Sequence, residues 1–219
     1  EMDFSARFLR LLAPPTWDLS TAKYSAWVAA VVPALEGIEG TVATHDAVLS
    51  ALVRWVYEDS GLSYDSEYGA SAYTNYPRGD WEAAQFDMTS FLDRRFGTVV
   101  NCSDCAGIIV AYGNMLGAVS DYAIIGSDFD LDYILAIGAD EFTRCPFGRG
   151  GCGFSYHAVA VSPAGDLIWD ATLALDGDDD SESTPNSLLM VEAIAAEEYL
   201  ERLASTRAAY THQAQGTLQ

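Results

Sequence analysis

Near residue 118 the hydrophobic pattern of this 219-residue chain changes period, and that change sets the class of fold. Before it, apolar residues recur every three or four positions. Phe4, Phe8, Leu9, Leu11 and Leu12 lie at helical spacing up to Pro14-Pro15, which ends the helix. Ser20 suits the N-cap of a second helix with Tyr24, Trp27, Val28, Val31 and Leu35 on one face, broken at Gly37 to Gly40. A third helix is expected from about His45 to Tyr57, and a short apolar one follows Cys102, with Gly117 as its stop. Beyond that point the segments read as strands. They are Tyr122 to Gly126, Ile134 to Ile137, and a hairpin of Tyr156 to Val161 with Asp166 to Trp169, turned at Ser162-Pro-Ala-Gly165. Thr184 and Pro185 open a final helix. Helices, then strands, then one helix imply an α+β domain with a mostly antiparallel sheet. One domain is expected over 1–219, with N-terminal helices in 3–36, a core at about 45–175 and a C-terminal helix at about 185–205.

Charge removes some functions. With 32 acidic residues against 11 basic ones the net charge is −21, and Lys23 is the only lysine. A nucleic-acid binder needs a basic footprint, and none is visible. The acidity fits solubility after secretion, or adaptation to high salt. No apolar run approaches the roughly 20 residues of a membrane helix. The opening Glu1-Met2-Asp3-Phe4 carries no signal-peptide pattern and is read as a mature start or a fragment. A secreted or cell-envelope location is expected.

Three residues carry a possible chemistry. A thiol becomes a nucleophile when its proton is drawn off, which a helix N-terminus and a nearby imidazole both promote. A carboxylate then fixes the imidazole tautomer. Cys102 lies just before its helix, His157 sits in a strand, and Asp170 ends Leu167-Ile-Trp-Asp170. Paired as a hairpin, the last two fall near one end of the ladder.

The segment Asn101-Cys-Ser-Asp-Cys-Ala-Gly-Ile-Ile-Val-Ala-Tyr-Gly-Asn-Met-Leu-Gly117 resembles the nucleophile helix of transglutaminase-like proteins, with Cys102, Ala106 and Gly117 at the matching positions. His157-Ala-Val-Ala-Val and Trp169-Asp-Ala-Thr172 are similar to that family's His and Asp segments. Ala51 to Tyr57, with Tyr64 after it, is similar to the helix upstream of the nucleophile. The resemblance covers roughly residues 45 to 175. Asn101 departs from the small or apolar residue usual before the nucleophile, and the stretch between Gly117 and His157 is long and contains cysteine. The resemblance implies a papain-like α+β core and a Cys102–His157–Asp170 triad. It also implies acyl transfer from peptide or glutamine-type amides through a thioester, without a cofactor. A peptidase or amidase is expected, with a cross-linking transglutaminase or glutamine deamidase as alternatives. The Cys102 backbone N–H is expected to be one oxyanion donor. Asn101, Trp81 and Tyr76 are candidates for the second donor or the cleft wall.

Other readings stay open. Cys105 could replace Cys102 as nucleophile, or be a buried free thiol. Cys102, Cys105, Cys145 and Cys152 could hold zinc in a non-catalytic binding domain. Cys145 and Cys152 could instead form a disulfide closing the glycine-rich loop between them. The alternating carboxylates Asp128, Asp130, Asp132 and Asp176, Asp178, Asp180 could hold calcium, although solvated acidic loops are the simpler reading. The tyrosines between Tyr64 and Tyr76 either wall a cleft or pack on the core. The partner expected is a protein or peptide substrate.

Overall fold

A computed structural model describes residues 44–80, 84–147, 151–178, 187–206 and 209–211. The helices expected in 3–36, Trp81, Asp180 and the Thr184-Pro185 signal lie outside the described residues. The first described helix, α1 (His45–Arg54), begins where the Thr44 hydroxyl accepts the Ala47 N–H, and widens into a π turn at Trp55–Asp59. Short pieces follow: β1 (Ser63–Tyr64), β2 (Thr74–Asn75), β3 (Gln85–Phe86), α2 (Met88–Leu92) and β4 (Val99–Val100). Then come α3 (Cys102–Met115), β5 (Asp121–Asp130), β6 (Ile134–Ala136), β7 (Gly153–Val161) and β8 (Leu167–Asp176). The chain continues through β9 (Leu188–Ala195), α4 (Ala196–Leu203) and β10 (Ala209–Thr211). Gly117, at φ +80°, takes the left-handed conformation that ends α3.

The class is α+β, as expected. The main sheet runs β10-β5-β7-β8-β6, with β9 also paired to β8, and every pairing in it is antiparallel. Both faces are covered. On one, Leu49 and Leu52 of α1 and Ile108, Ile109 and Tyr112 of α3 belong to the core of Ala158, Ala160, Trp169 and Ala171. On the other, Val159, Val161, Ile168, Leu173 and Leu175 meet Tyr199 and Leu203 of α4. With both faces buried, β8 has no polar alternation to mark its end. It therefore runs on to Asp176, and Asp170 lies inside the strand rather than after it.

Two irregularities position the site. First, β8 changes face: Trp169 and Ala171 belong to the α3 side, while Leu173 and Leu175, of the same parity, belong to the α4 side. The register with β9 shifts between Asp170 and Ala174 at the same place. Bulges of this kind re-aim side chains. Second, β9 holds one edge of β8, and β7 and β6 share the other. β7 pairs only at Ile168 and Trp169, and β6 only from Leu173 to Leu175. Asp170 to Thr172 face the change of partner.

The C-terminal expectation needs correction. Residues 188–195 form β9, and the helix begins only at Ala196. Leu188-Leu-Met-Val-Glu-Ala-Ile-Ala195 contains strong helix formers, and Ala193 at φ +57° interrupts its alternation. Pairing along β8 overrides that local preference.

Candidate active site

Cys102 is the first residue of α3. Asn101 caps the helix: its Oδ1 accepts the Asp104 N–H at 3.2 Å, and Asp104 Oδ2 accepts the Asn101 N–H at 3.3 Å. Asn101 Nδ2 donates to the Gly69 carbonyl at 2.9 Å. The amide of Asn101 thus joins the cap to the loop, and the side chain also bears on the Tyr156 phenol. Cys102 N–H and Ser103 N–H, at the first two helical positions, have no acceptor within the helix. They give the thiol the positive end of the helix dipole.

Asp104 is fully buried and organises the long loop before the helix. Its Oδ1 accepts from Ser71 Oγ (2.7 Å), Tyr73 N–H (2.9 Å) and Thr74 N–H (2.7 Å), and its Oδ2 from Ala72 N–H (2.7 Å). One carboxylate therefore pins residues 71–74 to the N-terminus of α3. The tyrosines of this stretch divide. Tyr73 is in the core, Tyr68 is 70% exposed, and Tyr64 and Tyr76 are half-buried near the thiol. Tyr76 hydroxyl donates to Ser103 Oγ at 2.7 Å and bonds Tyr122 hydroxyl, and Tyr156 hydroxyl lies 3.2 Å from Ser103 Oγ. Burial pushes the Tyr76, Tyr122 and Tyr156 phenols upward, and each also feels Cys102. The thiol is thus surrounded by neutral hydroxyl groups.

His157 and Asp170 form a buried pair. His157 Nε2 and Asp170 Oδ2 are 2.8 Å apart, with both residues at most 2% exposed. Asp170 Oδ2 also accepts the Tyr199 hydroxyl at 2.7 Å, and Oδ1 accepts the Thr172 N–H at 2.7 Å. Phe154 stacks on the imidazole, with ring centroids 4.6 Å apart. Burial is the largest influence on His157 and opposes its charge. The charge and hydrogen bond of Asp170, followed by Cys102, outweigh it and push the imidazole up to about 10. Burial likewise works against the Asp170 carboxylate, but His157 and the Thr172 N–H hold it below the usual carboxylate value. Cys102 thus acts on His157, although His157 Nδ1 makes no well-formed hydrogen bond among the described residues.

Cys105, one turn along α3, is a free thiol with no exposure. Burial, then Asp104 and Asp170, push its thiol well above the ordinary range, which disfavours a thiolate there. Cys145 and Cys152 are joined in a disulfide, which takes two ligands from the four-thiolate zinc alternative. No group of three or more His, Cys, Asp or Glu side chains that could hold a metal is found among the described residues. Of the calcium candidates, Asp132 is engaged by Arg144 at 2.8 Å, and Asp176 accepts the Asp178 N–H at 3.2 Å. Asp128, at φ +54°, lies at the bulge between Gly126 and Phe129. Among the described residues, no helix is long and apolar enough to cross a membrane.

Cys102 itself is only 2% exposed. Tyr64 feels both Cys102 and Asp170, and also lines a depression of about 360 Å³ with Ser66, Ile137, Gly138, Glu141 and Pro146. Sequence reasoning missed two residues here, Asp104 and Tyr199. The Asn101-x-x-Asp104 spacing of a capping box was a signal for the first. Tyr199 had none, because its contact with Asp170 depends on how α4 returns beneath the sheet. No family model, no curated protein and no solved structure matches the chain.

Proposed function

We propose that this chain is a cysteine-dependent acyl-transfer enzyme with a papain-like, transglutaminase-like core, acting as a hydrolase on peptide or side-chain amides. The observation that carries the reading is the buried His157–Asp170 pair, placed where β7 and β8 part and coupled to Cys102 at a helix N-terminus. An isolated buried imidazole would stay neutral. Asp170 favours the imidazolium, which is the partner a thiolate needs.

The Cys102 thiolate attacks the amide carbonyl carbon, and the oxygen takes the negative charge. The Cys102 N–H at the start of α3, which has no acceptor within the helix, is the donor assigned to that oxyanion in this reading. His157 Nδ1–H gives its proton to the departing amine as the C–N bond breaks, leaving a thioester on Sγ. Water then gives a proton to Nδ1 and its oxygen to the acyl carbon, and Sγ leaves as thiolate. Throughout, Nε2–H stays on Asp170, which fixes the tautomer. Tyr64 and Tyr76 wall the approach to the thiol.

The test is iodoacetamide labelling at about pH 6, where an ordinary thiol of pKa about 8.5 is almost wholly protonated. Cys102 is expected to react and His157→Ala to abolish the reaction. Cys102 labelling indifferent to His157→Ala means that the two residues do not work together and ends the acyl-transfer reading.

A further inference from the structure

We infer that Tyr199 is a positioning residue of the site: its hydroxyl locks the Asp170 carboxylate in the rotation that presents Oδ2 to His157. The inference rests on the acyl-transfer reading above and adds a residue to the Cys102, His157 and Asp170 set.

Asp170 Oδ2 accepts two hydrogen bonds, from His157 Nε2 at 2.8 Å and from the Tyr199 hydroxyl at 2.7 Å. Oδ1 accepts the Thr172 N–H at 2.7 Å. A carboxylate at a bulge is free to turn about its Cβ–Cγ bond unless both oxygens are held. The Thr172 N–H holds one. The His157 ring cannot by itself hold the other, because orienting that ring is what the carboxylate must do. A third donor from a different element breaks the circularity, and Tyr199 comes from α4, across the sheet from α3. Both Tyr199 and Asp170 are fully or almost fully buried, so water does not substitute for the bond. Burial and the Asp170 charge hold the phenol well above its ordinary value, so it stays protonated as a donor across the working range.

Donation to the ionised form of a carboxylate favours that form. Without it Asp170 takes up a proton at higher pH and holds the imidazolium less well, and the thiolate of Cys102 loses support in turn. The other titratable groups acting around Asp170 are His157 on β7, Cys102 and Cys105 on α3, Tyr57 in the π turn and Tyr64 on β1. None of these four elements is α4, so a change at residue 199 leaves them in place.

The experiment follows the rate of Cys102 alkylation by iodoacetamide against pH in the full chain. In Tyr199→Phe the acid limb of the profile is expected to move up by about one pH unit, the order expected for losing one charge-assisted hydrogen bond. At the foot of that limb the rate falls about tenfold. Site-specific replacement of Tyr199 by 3-fluorotyrosine, a stronger donor of the same shape, is expected to move the limb down, and keeps the test open if the Phe variant folds poorly. Leu203→Ala, a buried residue of the same helix, controls for packing: its melting temperature drops while the limb stays in place. A limb that fails to move in both Tyr199 variants, or that moves equally in Leu203→Ala, overturns the inference. If His157→Ala abolishes labelling while the Tyr199 variants change nothing, only this inference fails. If His157→Ala also changes nothing, the acyl-transfer reading itself fails.

Discussion

Replacing Asp170 with Asn tests the electrostatic centre of the site through stability alone, with no substrate needed. The carboxylate accepts from His157 Nε2, Tyr199 hydroxyl and Thr172 N–H. An amide has one acceptor oxygen and turns an NH₂ group toward donors on the other side, so at least one buried donor loses its partner. That costs about 1–3 kcal/mol, and breaking a buried ion pair costs about 3–5 kcal/mol. The imidazole gives a second measure. Its rise from 6.5 to about 10 corresponds to roughly 5 kcal/mol at about 1.36 kcal/mol per unit. The two figures agree in order of magnitude, and a loss of about 4 kcal/mol near neutral pH is expected.

The pH dependence makes the test specific. Because the folded value of His157 lies above its unfolded value, its contribution is complete below pH 6.5 and is lost as pH rises through about 10. Between about pH 6.5 and 9.5 linkage removes about 4 kcal/mol from the wild type. Asp170 acts at the other end: its contribution is present above the ordinary carboxylate value and is lost as pH falls through its lowered folded value. In Asp170→Asn only burial and Cys102 act on the imidazole, and the loss above pH 6.5 should vanish. Urea unfolding of both proteins at about pH 5.5, 7.5 and 9.5 reads this directly. A wild type equally stable from about pH 6.5 to 9.5, or a variant with the same slope as the wild type, refutes the reasoning.

Further outcomes follow from the same geometry. Iodoacetamide at about pH 6, with peptide mapping, should label Cys102 and spare Cys105, whose thiol burial pushes up; preferential labelling of Cys105 reverses the nucleophile assignment. Asp104→Ala strands the N–H donors of Ala72 and Tyr73, while Thr74 N–H keeps Ser71 Oγ, and should cost about 3 kcal/mol in urea unfolding; a cost below about 1 kcal/mol means that the loop is held by other contacts. Tyr64→Ala should raise the rate at which Cys102 meets a bulky maleimide more than the rate with iodoacetamide, because it opens the wall without touching the charges; equal changes for the two reagents count against Tyr64 as a barrier. Reducing Cys145–Cys152 should lower stability by about 2 kcal/mol, the entropy of a short closed loop, and an unchanged unfolding midpoint removes the bond from any stabilising role.

Much of this site is legible in the sequence, because it depends on local signals. The apolar run after Cys102, the stop at Gly117 and the hairpin turn at Ser162 to Gly165 each define an element without outside help. The hairpin brings His157 and Asp170 close, since thirteen residues and a tight turn leave little freedom. What was not legible depends on partners distant in the chain. β9 looked helical because its residues favour helix, and only the long edge of β8 makes it a strand. Tyr199 reaches Asp170 only through the return of α4 beneath the sheet. The Asp104 carboxylate gathers amides from a loop some thirty residues upstream, a contact that no local signal announces. Trp81 lies outside the described residues, so its expected part in the cleft stands as a sequence expectation.

The position of the pair within the sheet has a physical reason. A regular antiparallel strand would turn Asp170 and its neighbours alternately to two apolar cores, where a carboxylate has no partner and costs several kcal/mol. At Asp170 and Ala171, however, one neighbour of β8 has ended and the next joins only where the Ile137 N–H meets the Thr172 carbonyl, and the strand changes face. The ladder is interrupted there, so the Thr172 N–H is free to turn to the carboxylate. The same interruption leaves room for the imidazole from β7 and the phenol from α4. A defect in the sheet is therefore what makes a buried charge tolerable, and the N-terminus of α3 brings the thiol to that defect. Straightening β8 would strengthen the sheet and leave the site no place to form.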